Sequence, residues 1–199
     1  MKVLALMGAM RRHHNTEDAL DIFLETHCRG DEVEKVILKD LNIVDCLSCN
    51  GCQKAPRCVV QDDMTALYPK FEAADLVIFA APIYFNSIAG VAKLFVDRLQ
   101  VYWSRKFILK LEPIAPRIGV AIICGGAEKE VNQFVGTEAV LNHYFKVSSF
   151  KTNYTFEVAN TDDEAVRDSD KYKEMIQTRC KPGTYRVTGD GIYDYKPIY

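Results

Sequence analysis

Apolar residues along this chain alternate between two rhythms. Val3–Met7 is a continuous apolar run that stops at Gly8, and such a short run predicts a buried strand. Thr16–Cys28 then carries Ala19, Leu20, Phe23, Leu24 and Cys28 at helical spacing. Val33–Leu38 predicts a second strand, and Met64–Phe71 a short helix opened by Asp62-Asp63. Leu76–Ala81 predicts a third strand of buried type that ends at Pro82. Ile88–Tyr102 keeps Val91, Leu94, Phe95, Arg98, Leu99 and Tyr102 in helical register. Arg117–Cys124 predicts a fourth strand, closed by Gly125-Gly126, and Glu128–Tyr144 a helix. Val147–Val158 holds a fifth strand, and Asp168–Cys180 a last helix.

Strands that alternate with helices predict an α/β fold, a mostly parallel sheet with helices on both faces. Five strands favour the flavodoxin-like three-layer sandwich, with strand order 2-1-3-4-5. Residues 1–182 are expected to form one domain, with residues 41–61 a long connection inside it. Residues 183–199 hold Tyr185, Tyr193, Tyr195 and Tyr199, and are expected to pack on the body or on a neighbouring subunit.

Composition narrows the classes. Of 199 residues, 48% are hydrophobic and 26% charged, which suits a globular domain with a full core. The net charge of −2 points to neither nucleic acid nor an anionic membrane as partner. No apolar run approaches the length of a membrane-spanning helix, and Met1–Gly8 is too short for a signal peptide. The seven cysteines are odd in number and four are bunched, unlike a secreted disulfide framework. A reducing cytoplasm is the expected location.

The bunched cysteines change the picture most. Cys46, Cys49, Cys52 and Cys58 follow a C-x2-C-x2-C-x5-C spacing. Three thiols at two-residue intervals can converge on one face of a cubane, and a fourth from a short loop can close the cage. Zinc on four cysteines more often takes two separated C-x2-C knuckles, so the spacing favours an iron–sulfur cluster over zinc or free thiols. Cys28, Cys124 and Cys180 fall on core elements and read as small buried hydrophobes, with Cys124 bordering any ligand at that strand end.

Ligands of open α/β sheets bind outside the carboxyl ends of the strands. Four loops leave such ends here, and all are expected along one edge. In the first, Gly8-Ala9-Met10-Arg11-Arg12-His13-His14-Asn15-Thr16, Thr16 can cap the helix whose free amides attract an anion. Arg11 and Arg12 add charge, and Asn15 a donor. Glu17 and Asp18 suit an ordinary capped helix equally well. The second loop holds the cysteines. The third, Pro82-Ile83-Tyr84-Phe85-Asn86-Ser87, suits a flat hydrogen-bonding ring, or contributes aromatics to a core or interface. The fourth, Gly125-Gly126, permits close backbone approach or makes a plain turn. His13 and His14 read as exposed loop residues, Asp97-Arg98 as a structural or interface pair, Trp103 as an interface residue, and Asp162–Asp170 as a solvated loop.

Together, Cys46–Asp63 with its Cys58-Val59-Val60-Gln61-Asp62-Asp63-Met64 ending, Ala74-Asp75-Leu76, Ala81–Ser87, and Lys93 with Asp97-Arg98 resemble the NADPH-dependent FMN reductase-like branch of the flavodoxin superfamily. The cysteine spacing is similar to that of the iron–sulfur flavoproteins within it. The resemblance is strongest over residues 1–125. It implies an FMN phosphate at Gly8, Ala9, Met10, Arg11, Asn15 and Thr16. It implies the isoalloxazine at Pro82, Ile83, Tyr84, Phe85, Asn86 and Ser87 and at Gly125 and Gly126. It implies a 4Fe-4S cluster on Cys46, Cys49, Cys52 and Cys58. Family members usually read Gly-Ser-Pro-Arg in the first loop. This chain has Gly8-Ala9-Met10-Arg11, without the serine hydroxyl, and keeps Asn15-Thr16.

The expected function is that of a flavin-dependent oxidoreductase, an electron-transfer protein moving electrons between cluster and FMN with no side-chain general acid or base. Expected redox partners are NAD(P)H, ferredoxin or a quinone, and the resemblance implies a homodimer or homotetramer. The alternatives are a cluster-free NAD(P)H-dependent FMN or quinone reductase, and a flavodoxin-like binding module without turnover.

Overall fold

A computed structural model of the chain describes residues 1–178. Strands β1 (Lys2–Met7), β2 (Glu32–Ile37), β3 (Leu76–Tyr84), β5 (Arg117–Cys124) and β6 (Phe150–Val158) form a parallel sheet in the order β2-β1-β3-β5-β6. Counted along the chain, these five have the expected 2-1-3-4-5 order. A sixth, two-residue strand, β4 (Ser87–Ile88), turns back antiparallel on the end of β3. The helices are α1 (Asn15–His27), α2 (Met64–Ala73), α3 (Gly90–Arg98), α4 (Gln100–Trp103), α5 (Val135–Val147) and α6 (Asp170–Thr178). No helix among the described residues is long and apolar enough to cross a membrane.

Strand composition follows burial. The central strands β1, β3 and β5 are nearly continuous apolar runs because helices cover both faces. On one face Phe71, Phe79, Phe95, Tyr144 and Phe145 pack beneath α2, α3 and α5. On the other, Leu20, Phe23, Phe156 and Ile176 pack beneath α1 and α6. The edge strand β2 reads Glu32-Val33-Glu34-Lys35-Val36-Ile37 and stays partly exposed, its charges discouraging a further strand from adding there.

Five boundaries differ from those expected. β3 continues through Pro82 to Tyr84, because β1 ends opposite Ala80 and the missing proline N–H faces no neighbour on that side. The expected helix from Ile88 begins at Gly90 instead. Phe85 and Asn86, both at positive φ (50° and 57°), turn the chain back so that Ser87–Ile88 pair with Ile83–Tyr84. That helix also breaks at Leu99, dividing into α3 and α4. The helix expected from Glu128 starts at Val135, since residues 128–134 form a turn closed by the Gln133 side chain on the Ala127 carbonyl. Finally, α1 is preceded by His14, not by a capping Thr16, and no side chain caps it. Cys180 and the tyrosine-rich residues 183–199 lie outside the described residues.

Arg117 is 4% exposed at the start of β5 and has no carboxylate ion-pair partner among the described residues. Its guanidinium lies 4.1 Å from the Phe71 ring centre and 4.9 Å from that of Phe150. It donates to the carbonyls of Phe71 and Ser148. Burial lowers its pKa, yet three carbonyl contacts and two aromatic faces keep the cation satisfied.

Two glycines separate packing from propensity. A Cβ on Gly119 would stand 2.7 Å from the Phe145 ring and 2.9 Å from that of Phe150, while one on Gly90 would meet nothing within 4 Å. Gly119→Ala is expected to cost about 1–3 kcal/mol of unfolding free energy through overpacking. Gly90→Ala is expected to change it by less than about 1 kcal/mol, in the stabilising direction. Urea unfolding of the two variants beside the parent checks both signs.

Candidate functional site

A cavity of about 300 Å³ opens at the carboxyl ends of β1, β3 and β5. The loop after β1 brings Ala9, Arg11, His14, Asn15 and Thr16 to it, and the end of β3 brings Pro82, Ile83 and Tyr84. The turn after β5 adds Cys124, Gly126 and Ala127, and the loop after β6 adds Thr161 and Asp162. Eight of the fourteen residues expected at a cofactor therefore line one cavity. Gly8, Met10, Phe85, Asn86, Ser87 and Gly125 do not line it. Phe85 sits fully exposed at the tip of the β3–β4 hairpin. Gly8 and Gly125 serve the backbone beneath. Gly8 donates to the Ala80 carbonyl at 2.7 Å, and a Cβ there would stand 2.7 Å from that of Ala92.

The first loop is shaped by one buried carboxylate. Glu17 is 2% exposed. It accepts from Arg12 Nε at 2.9 Å and Nη2 at 2.8 Å, from the His13 amide at 2.6 Å and from Lys35 Nζ at 2.8 Å. These donors, Arg12 foremost, overcome burial and hold the carboxyl well below the ordinary range. Arg12 thus neutralises Glu17 and is not free for a ligand. Arg11 has no ion pair or hydrogen bond among the described residues and remains the available cation at the cavity. The first-turn amides of Asn15 and Thr16 have no intrahelical acceptor, as at any helix start.

The loop after β6 was read from sequence as solvated, yet it forms a wall of the cavity. Asn160, Thr161 and Asp162 donate their amides to the carbonyls of Ala127, Gly125 and Gly126. The Asn15 carboxamide ties this loop to the start of α1, donating to the Thr161 carbonyl at 3.0 Å and accepting from the Val166 amide at 2.9 Å. A Cβ at position 126 would stand 2.3 Å from Asp162 Oδ2, so a larger residue there would have to push the Asp162 side chain aside. Thr161 and Asp162 carry no local motif. Their place follows from the register of β6 against β5, which no short sequence window contains. Burial pushes the Cys124 thiol up to about 12, so this residue is neutral wall.

The cysteines line a second cavity, of about 600 Å³, that shares no lining residue with the first. Cys46, Cys49, Cys52 and Cys58 all line it, together with Arg98, Gln100, Val101 and Ser104 of the α3–α4 segment. The four loops expected along one edge are thus divided between two cavities, the cysteine loop folding against α3 and α4. Ser48 and Asn50 take left-handed φ values of 49° and 58°, which curl the chain between successive cysteines. Gly51 lets this curl approach Val59, since a Cβ there would stand 2.7 Å from Val59 Cγ1.

An ion pair buried at both ends clamps the loop. The side chains of Asp62 and Arg98 are each 1% exposed and bond to one another. Asp62 also accepts the amides of Val44 at 2.9 Å and Met64 at 3.0 Å, and Arg98 donates to the Val44 carbonyl at 2.8 Å. Burial opposes the charge on Asp62, but Arg98 and the two amides outweigh it and hold the carboxyl below its ordinary value. Arg98 is therefore not the partner of Asp97, which instead pairs with Lys93 at 2.6 Å. Arg98 Nη2 reaches Cys58 Sγ at 3.4 Å, and Ser104 Oγ lies 3.2 Å from Cys52 Sγ. Among the described residues no three His, Cys, Asp or Glu side chains stand close enough to hold a metal ion.

The parallel sheet, with helices on both faces and a cavity beyond its strand ends, defines a doubly wound α/β protein. Residues 1–148 match the profile of the NADPH-dependent FMN reductase family, and the chain belongs to that family. It is 31% identical over 128 residues to an iron-sulfur flavoprotein of Methanosarcina thermophila, a match covering 64% of each chain. It is 36% identical over 106 residues to an iron-sulfur flavoprotein of Archaeoglobus fulgidus, covering 53% of this chain and 48% of that protein. Both matches thus span less than two thirds of the relatives' length. Its fold is similar to that of the NAD(P)H:quinone oxidoreductase from Methanothermobacter marburgensis, with a TM-score of 0.67 at 15% identity over 90% of this chain and 92% of that one.

The Glu17 cluster yields a pH prediction. A carboxyl whose folded pKa is depressed contributes stability that is complete above its unfolded value, about 4.3. That contribution is lost as pH falls towards the folded value. Glu17→Gln is expected to cost about 2–3 kcal/mol at neutral pH, and the gap between variant and parent should narrow steadily below about pH 4. Denaturant unfolding across pH 2.5 to 7, as a chosen range, measures the gap; one that widened on acidification would contradict the network.

Proposed function

We propose that the protein is an electron-transfer iron–sulfur flavoprotein, a flavin-dependent oxidoreductase with FMN in the cavity beyond β1, β3 and β5 and a 4Fe-4S cluster on Cys46, Cys49, Cys52 and Cys58. The observation that carries this reading is the common cavity of all four cysteines, backed by a buried arginine that points a donor at Cys58. When bound, the flavin exchanges electrons in pairs or singly and the cluster singly, which couples two-electron to one-electron partners.

The chain's own residues bind and tune. The first-turn amides of α1 and the Arg11 guanidinium suit the phosphate. Asn15 holds the first loop against the loop after β6, so the cavity keeps its shape without a ligand. Pro82, Ile83 and Tyr84 offer a partly apolar wall to a ring, and the Asp162 carboxylate offers a hydrogen-bond acceptor to its polar edge. In the cysteine cavity the alternating left-handed turns suit sulfurs that face one centre, and the Arg98 cation suits their negative charge. No side chain acts as general acid or base. The redox partner is a reduced nicotinamide, ferredoxin or a quinone, and the assembly a homodimer or homotetramer.

A second reading, a cluster-free NAD(P)H-dependent FMN or quinone reductase, is favoured by one observation: the cysteine side chains line their cavity without closing on a common metal-binding point. An ultraviolet–visible spectrum of anaerobically purified protein, with iron, sulfide and flavin assayed on the same sample, separates the two. About four iron and four sulfide per chain are expected. Flavin without iron or sulfide after anaerobic reconstitution selects the second reading. Gly126→Ala, which displaces Asp162, is expected to weaken FMN binding about tenfold, read by titrating flavin fluorescence.

A further inference from the structure

The geometry points to Arg98 and Ser104 as positioning residues that hold two of the four cysteine sulfurs and raise the reduction potential of the cluster. The inference deepens the reading above and rests on it. Arginine carries only donors, so at the 3.4 Å contact between Arg98 Nη2 and Cys58 Sγ the sulfur must accept. A thiol accepts weakly and an anionic sulfur strongly. A guanidinium shut away from water beside Cys58 is therefore matched to a sulfur that carries negative charge. Its Nε has no partner among the described residues, which leaves further donor capacity on the same group.

Ser104 stands on the other side of the same stretch of chain. It is 1% exposed and opens the wide turn Ser104–Ile108 that follows α4. Its Oγ lies 3.2 Å from Cys52 Sγ. With Cys52 deprotonated as a ligand, only the hydroxyl can donate. Cys46 and Cys49 have no side-chain hydrogen bond among the described residues, so Cys52 and Cys58 are the sulfurs that meet donors from the body of the protein, with the Gln100 carbonyl 3.9 Å from Cys52 Sγ as well. Adding an electron makes a cluster more negative, and hydrogen bonds and a nearby cation on its sulfurs favour that state. Asp62 offsets the arginine charge at long range, but the donor itself sits on the sulfur side.

The test uses full-length protein, anaerobically reconstituted with iron and sulfide, as parent, Ser104→Ala and Arg98→Lys. Lysine keeps a cation beside Asp62 but has no fork to serve Asp62 and Cys58 together. Iron and sulfide content, thermal unfolding and an EPR-monitored redox titration are measured for each. Both variants are expected to bind iron, and at the parent's midpoint potential each should show a reduced-to-oxidised ratio about tenfold lower, or ~59 mV for a one-electron couple. Iron lost from a variant that unfolds at the parent's temperature also supports the assignment, since the sulfur's place then depends on that donor. Loaded clusters at the parent's potential in both variants overturn it, and a shift in one alone overturns the paired role. If Arg98→Lys does not fold, Ser104→Ala decides. A parent that takes up no iron or sulfide defeats the cluster reading, and this inference with it, an outcome distinct from a loaded cluster whose potential does not move.

Discussion

The cysteine loop depends on the Asp62–Arg98 pair. Two opposite charges, each almost wholly removed from water, recover their lost hydration only through close geometry and further hydrogen bonds. Both are present here. Asp62 takes the amides of Val44 and Met64, and Arg98 takes the Val44 carbonyl. The pair thereby joins the chain before the first cysteine, the chain after the last one, the start of α2 and the end of α3. Next to it, Asn42 donates its amide to the Asp63 carboxylate and accepts the Asp63 amide at its carbonyl, which closes the same neck. Removing one partner would leave the other charge buried alone, a cost of about 3–5 kcal/mol. A loop with few apolar anchors of its own is held in shape by this one polar clamp.

The other cavity is built on a different principle. Its floor is the sheet, and its walls are loops joined by backbone hydrogen bonds between the turn after β5 and the loop after β6. Carbonyls and amides that face one another leave little freedom to either loop. Asn15 carries the same restraint across to α1. Arg11 lines this cavity, while Glu17 engages both Arg12 and Lys35. The division of labour between two adjacent arginines follows from the burial of a single carboxylate.

The layered fold, the strand order and the grouping of the cysteines were legible in the sequence because each depends on local signals. Short continuous apolar runs bounded by glycine or proline suit strands covered on both faces, and helical spacing of apolar side chains needs a face to bury. Residues of the first and third loops could be placed at one cavity because the ends of parallel strands are where loops gather. The C-x2-C-x2-C-x5-C spacing marked out the four cysteines that line the second cavity without any knowledge of the fold.

What the sequence by itself determined, then, was the periodicity of the elements and the donor set of the cysteine loop. The tertiary structure alone decided which charges are satisfied and which are left over. Arg98 read as the partner of adjacent Asp97 and proves to be that of Asp62, 36 residues away in the chain. Arg12 read as a ligand group and proves to neutralise Glu17. Asp162 read as part of a solvated loop and, with Thr161, walls the cavity. Pairings of this kind depend on where two distant segments come to lie, and on how little water remains between them. Adjacent side chains leave both quantities open, and the packing of the sheet and its helices settles them.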